Sequence, residues 1–152
     1  MKNKIIILFV VPFLLACSNK KSSYNGPKII VAHNASEALV NSTPEEMYSL
    51  VVDQDSDAVY YIGDDTCSAC AELKPQLVDW IKVYQGTIYY IPVTDISESN
   101  INYVVSATEG YYAWSEKSTV PAVFFFMRGE VVFCADQTNA MDYLLTYVEV
   151  SD

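Results

Sequence analysis

The apolar positions fall into two kinds of run: continuous ones of strand length, and ones that recur every third or fourth residue. Ala58 to Ile62 (Ala-Val-Tyr-Tyr-Ile) is continuous and aromatic-rich, the pattern of a strand covered on both faces. Thr87 to Val93 and Ala122 to Phe126 are further strands, and Val131 to Ala135 pairs back on the second of these through the turn Met127-Arg128-Gly129-Glu130. Shorter β-like runs lie at Lys28 to Ala32 and Ala38 to Val40. Elsewhere the period is helical. Thr43 as N-cap, Pro44 at the first helical position and Glu46 closing a capping box start a helix that turns Met47, Leu50 and Val51 inward. Asp53 to Asp57 ends it. Leu73, Leu77, Trp80, Ile81 and Tyr84 form an apolar stripe on a second helix, which Pro75 is expected to kink. Ser97 to Thr108 reads as a helix with Ile101, Val104 and Val105 inward, and the last helix, Asn139 to Val148, buries Met141, Leu144, Leu145 and Val148. Gly110 to Thr119, with Tyr111, Tyr112 and Trp114, reads as a loop.

The order is strand, helix, strand, helix, strand, helix, hairpin, helix. Such alternation predicts an α/β protein with parallel βαβ units, to which the hairpin adds an antiparallel edge. A chain of 152 residues is one domain's worth and can bury a real core.

The first 27 residues stand apart. Met1-Lys2-Asn3-Lys4 is a short positive region, and the apolar run Ile5 to Leu15 is too short to span a bilayer as a mature helix, so the layout is that of an export signal. Leu14-Leu15-Ala16-Cys17 resembles the lipobox of bacterial lipoproteins. That resemblance implies lipid on Cys17 and cleavage before it, giving a signal peptide at residues 1–16, a lipid anchor and flexible tether at 17–27, and the folded domain at 28–152. An uncleaved anchor and an ordinary signal peptide are the competing readings, and all three place the domain outside the cytoplasm. Removing Lys2 and Lys4 takes the net charge from −10 to −12. So acidic a surface argues against nucleic acid and against electrostatic adhesion to anionic lipid, which leaves the anchor as the membrane link.

The candidate chemistry is Cys67-Ser68-Ala69-Cys70, between the Ala58–Ile62 run and the stripe that begins at Leu73. Two thiols separated by two residues where a strand hands over to a helix can close a small reversible disulfide. The unpaired N–H groups and positive dipole end of the helix favour a thiolate on the first cysteine. A zinc site competes poorly, because structural zinc takes four ligands and the remaining candidates are Cys17, Cys134 and His33. An inert pair stays open. Cys134 reads as a buried small hydrophobe on a strand, with a regulatory or resolving thiol as the alternative, and His33 as an ordinary turn residue.

With these elements in order the chain resembles a thioredoxin-fold protein over roughly Ala38 to Glu149. The resemblance rests on Cys67 and Cys70 at the strand-to-helix junction, Pro75 five residues past the second cysteine, Val120-Pro121 ahead of a strand, and Gly129 in the closing hairpin turn. It implies a three-layer sandwich, a mixed sheet with helices on both faces. It further implies that Cys67 attacks a disulfide, Cys70 resolves the mixed disulfide, and a cis peptide at Val120-Pro121 sets the Val120 backbone beside the cysteines to pair with an extended substrate. An ordinary trans proline is the alternative at that bond. No cofactor is called for. The implied partners are cysteine-containing extracytoplasmic proteins and a membrane electron donor or acceptor.

Departures from the family are informative. Tyr61 occupies the position, six residues before the first cysteine, where thioredoxins carry a buried aspartate; Ser68-Ala69 replaces Gly-Pro, Thr66 replaces a tryptophan, and Ala122 replaces a threonine. Asp64 and Asp65 precede Cys67 with no basic residue before Lys74, which opposes a thiolate and tilts the expectation towards a reductase or isomerase. Tyr111, Tyr112 and Trp114 are either a lip over the site or core. Thioredoxin-like proteins associated with bacteriocin export look similar and suggest a non-enzymatic accessory role as the rival function. A cysteine hydrolase is a third class, and it would need His33 to reach Cys67.

Overall fold

The computed structural model describes residues 25–112 and 120–152. In chain order the elements are β1 (Ile29–Val31), β2 (Val40–Asn41), α1 (Pro44–Tyr48, continued as a π-helical turn over Ser49–Asp53), β3 (Ala58–Gly63), α2 (Ser68–Tyr84), β4 (Tyr89–Pro92), α3 (Ile101–Ala107), β5 (Ala122–Met127), β6 (Glu130–Ala135), α4 (Ala140–Tyr147) and β7 (Val148–Val150). Five strands form one sheet in the order β2-β4-β3-β5-β6, parallel from β2 to β3 and antiparallel from β3 to β6.

All six residues of β3 are buried, as a doubly covered strand requires. Its side chains alternate between two cores. Val59 and Tyr61 join Leu73, Leu77, Trp80, Ile81 and Leu144 on the side of α2 and α4. Ala58, Tyr60 and Ile62 join Met47, Val51 and Val104 on the side of α1 and α3. The result is a mixed sheet between two helical layers.

The capping box at the start of α1 is present as expected, Glu46 N donating to Thr43 Oγ1 at 3.2 Å and Thr43 N to Glu46 Oε2 at 2.9 Å. The hairpin between β5 and β6 turns on two residues, Arg128 (φ 50°) and Gly129 (φ 81°), the left-handed pair that matches strand twist. A side chain at Gly129 would also strike the Val51 carbonyl, 2.7 Å from where a Cβ would stand. Asp57, just ahead of β3, ties β1 to the β5–β6 turn, accepting from Ile30 N and Arg128 N, each at 2.9 Å.

Some expectations fail for identifiable reasons. Val148 does not end the last helix but begins β7, which pairs in parallel with β1 as Ile29↔Val148 through Val31↔Val150. Val148 lies four residues after Leu144 and so continues the helical stripe as readily as it starts the strand alternation it shares with Val150. Leu145 is 58% exposed, because α4 turns Ala140 and Leu144 to the core and the next residue lies about 100° round the helix. α3 starts four residues later than the pattern suggests. The Asn100 side chain closes a turn first, its Oδ1 accepting from Ser97 N at 2.7 Å and its Nδ2 donating to Asp95 O at 3.0 Å. Val105 and Met141 are only partly buried, and α2 continues through Pro75 to Tyr84, itself 49% exposed but stacked on Trp80.

Phe125, fully buried between the rings of Phe133 and Tyr143, and exposed Leu145 make a contrasting pair. Phe125→Ala is expected to cost ~3–5 kcal/mol by urea unfolding, whereas Leu145→Ala changes stability by about 0.5 kcal/mol or less.

Candidate dithiol site

The site is built where β3 stops. Gly63 ends the strand, and Asp64 then organises the turn: its Oδ1 accepts from Thr66 N at 2.8 Å and Thr66 Oγ1 at 2.9 Å, and its carbonyl from Cys67 N at 3.2 Å. Those Thr66 bonds hold the Asp64 carboxyl below its ordinary range. Cys67 is thereby delivered as the N-cap of α2 with extended backbone (φ −85°, ψ 123°). Its Sγ accepts from Cys70 N at 3.2 Å, taking the place a serine or aspartate oxygen usually fills at a helix start. The contact sets the Cys67 sulfur at the N-terminal end of the helix, where unpaired N–H groups gather.

Both cysteines are free thiols, and their settings differ. Cys67 is partly exposed and Cys70 only 2% exposed. Burial, followed by contact with the Cys67 sulfur, pushes the Cys70 thiol up to about 11, while the N–H of Asp64, 3.4 Å from Cys70 Sγ, works in the opposite direction. Cys70 is therefore held as a thiol behind the more accessible Cys67.

Two further segments close round the pair. The Val120–Pro121 peptide is cis, and the Cys67 thiol donates to the Val120 carbonyl at 3.5 Å. Cys67, Cys70, Val120 and Pro121 are thus brought to one place from positions 53 residues apart in the chain. On the side of the sheet facing α2, Tyr61 is 1% exposed and stacks on Tyr90 with ring centroids 5.2 Å apart. The Tyr61 hydroxyl interacts with the Cys70 sulfur, and burial followed by the charge on Cys70 raises its phenol well above the ordinary tyrosine value.

The carboxylates ahead of Cys67 are turned to partners of their own. Asp64 serves Thr66, and Asp65 pairs with Lys74 at 2.9 Å, a contact that raises the Lys74 ammonium above its usual value. Lys74 also lies over the Tyr90 ring, 4.5 Å from its centroid. Sequence spacing gave no sign of the Asp65–Lys74 pair, because the turn and the first helical turns bring together residues nine apart. Tyr61 was visible as a departure from the family pattern, but its contact with Cys70 was not.

The remaining candidates lie elsewhere. His33 bonds Gln85 Oε1 at 3.0 Å, and Gln85 caps the C-terminus of the 17-residue helix whose N-cap is Cys67. The two ends are about 25 Å apart, so a Cys67–His33 hydrolytic pair is ruled out. Cys134 sits on β6, partly rather than fully buried, against the Tyr60–Phe124 side of the core. Tyr112 is core, 4% exposed and edge-on to Phe124, whereas Tyr111 is 48% exposed; Cys17 and Trp114 lie outside the described residues. Among the described residues no three His, Cys, Asp or Glu side chains converge as metal ligands.

No protein-family profile matches the sequence, and no curated protein matches it. Solved structures do match. Thioredoxin O1 from Arabidopsis thaliana in its oxidised state aligns with a TM-score of 0.51 at 23% identity, over 72% of this chain and 97% of that one. A mutant thioredoxin from Halobacterium salinarum aligns with a TM-score of 0.52 at 19% identity, over 76% and 96%. A complex of ferredoxin:thioredoxin reductase with thioredoxin f2 gives 0.51 at 14%, over 72% and 91%. At these identities the likeness is one of architecture, and it agrees with the strand order and two-sided helix packing above: the chain has the thioredoxin-like α/β fold, a three-layer sandwich around a mixed sheet.

Proposed function

We propose that the chain is a thiol–disulfide oxidoreductase acting on protein cysteines through Cys67 and Cys70. The observation that carries this reading is the asymmetry of the pair. Accessible Cys67 caps a helix with its sulfur 3.2 Å from Cys70 N, and buried Cys70 stays protonated one turn behind it. In the reducing direction the Cys67 thiolate attacks a substrate disulfide, forming a mixed disulfide and releasing one substrate thiolate. The Cys70 thiol then loses its proton to solvent and attacks Cys67 Sγ, so that the Cys67–Cys70 bond forms and the second substrate sulfur departs. Two electrons pass from the pair to the substrate, and a dithiol partner must restore them. The Val120 backbone beside Cys67 is suited to pair with an extended substrate segment at this point.

The reading extends to location. The lipobox-like Leu14-Leu15-Ala16-Cys17 supports a lipid-anchored protein on the extracytoplasmic face, tethered through residues 17–27 and drawing electrons from a membrane partner. The preferred direction is reduction or isomerisation. Lys74, the first basic residue after the pair, turns to Asp65 and Tyr90, so that among the described residues no strongly cationic setting of the kind that makes a dithiol a powerful oxidant surrounds the pair.

Dithiothreitol-driven reduction of a protein disulfide is expected to fall to the uncatalysed background in Cys67→Ser, whereas Cys70→Ser is expected to trap a covalent adduct with the substrate. Equilibration with glutathione and thiol trapping is expected to give a potential of roughly −270 to −180 mV. A value near about −120 mV would reverse the assigned direction, and a pair that forms no reversible disulfide would leave the accessory role in place of the enzyme.

A further inference from the structure

One buried polar group beside the pair has no part in the scheme above. Tyr61 lies on β3 with its ring stacked on Tyr90 and its side chain folded back over Gly63, so closely that a Cβ at Gly63 would stand 2.2 Å from the phenolic oxygen. The next backbone N–H, that of Asp64, donates to Cys70 Sγ at 3.4 Å. The glycine therefore lets the hydroxyl reach the spot where the resolving sulfur is held, and two donors, one from the backbone and one phenolic, face the same buried sulfur.

Resting on the oxidoreductase reading, we infer that the Tyr61 hydroxyl donates a hydrogen bond to the Cys70 thiolate as it forms, and so sets the rate at which the mixed disulfide on Cys67 is resolved. The demand for such a donor arises from burial. With Cys67 tied up as a neutral mixed disulfide, the cost of ionising Cys70 is the cost of placing an anion in the core. Among the described residues, the groups that face this sulfur are Cys67 at the start of its own helix, Tyr61 from β3, the Asp64 N–H from the turn, and Tyr90 from β4 with Lys74 and Asp65 behind it. The Asp64 carboxylate is turned to Thr66.

A phenol in this place differs from a carboxylate in what it can do. Burial and the adjacent sulfur keep the Tyr61 hydroxyl protonated, so it gives a hydrogen bond but does not remove the Cys70 proton. The proton leaves to solvent base, Cys70 Sγ bonds to Cys67 Sγ, and the substrate sulfur departs with the bonding pair. Resolution should therefore accelerate steadily with pH, following the ionisation of Cys70.

The test separates the two steps. The full chain, fully reduced, is mixed with an aromatic disulfide (dithionitrobenzoate), quenched with acid at intervals, and the mass of the Cys67 peptide is followed. Adduct formation reports the first attack and adduct decay reports resolution. Tyr61→Phe is expected to leave adduct formation unchanged, slow its decay about three- to tenfold at neutral pH, and move the midpoint of the decay–pH profile upwards by about half to one unit. Gly63→Ala, which retains the phenol but displaces its oxygen, is expected to slow the same step. Decay in Tyr61→Phe with the wild-type rate and midpoint would overturn the inference, as would an equal slowing of both steps, which would assign Tyr61 a purely structural role. If the wild-type chain forms no adduct on Cys67, the oxidoreductase reading fails instead.

Discussion

The burial of β3 on both faces and its pairing on both edges is the constraint from which the rest of the molecule follows. A central strand in that position has one permitted register. A slip of one residue would exchange its two faces and send Tyr61, Val59 and their neighbours into the wrong core. That register sets Tyr61 opposite Tyr90 on one side and Val123 on the other, and Ile62 opposite Ala122, the residue after Pro121. The end of the same strand fixes Gly63 and Asp64, and through them the N-cap position of Cys67. The positions of Tyr61, Ala122 and the Cys67 cap are therefore all tied to the pairing of a single six-residue segment.

Adjacent residues on that strand show how far the environment, rather than the residue type, decides a role. Tyr60 and Tyr61 stack on consecutive tyrosines of β4, Tyr60 on Tyr89 and Tyr61 on Tyr90, with centroid separations of 4.8 and 5.2 Å. Tyr60 points to the α1 layer, where its hydroxyl meets Ser42 Oγ at 3.4 Å, and burial raises its phenol too. Tyr61 points to the α2 layer and meets a thiol. The pair is duplicated in packing but divided in chemistry.

Much of this was legible in the sequence. The capping box at Thr43, the doubly covered Ala58–Ile62 run, the two-residue hairpin turn and the cysteine pair are local signals whose physics is complete within a few residues. What could not be read depends on contacts between distant segments. β7 exists because β1 offers it an edge. Tyr112 is core because Phe124 meets it there, although its neighbours look like a loop. Leu145 faces solvent because α4 is only eight residues long and commits its core-facing side to Ala140 and Leu144. At the site itself, C-x-x-C predicted the pair and the proline predicted the backbone beside it. The Asp65–Lys74 contact and the reach of Tyr61 over Gly63 emerged only from the folded geometry.

The position of β1 bears on how the molecule presents itself. Ile30 is bonded to Asp57 at the entrance of β3, and His33, just beyond β1, bridges to Gly86 past the C-terminal end of α2. The chain thus enters the domain at the end of α2 opposite its cysteine cap. A protein held to a bilayer by its leading segment would carry its thiols on the pole pointing away from the lipid, open to partners arriving from the aqueous side. A donor embedded in the membrane would have to reach around the domain, or wait for it to tip over on its tether.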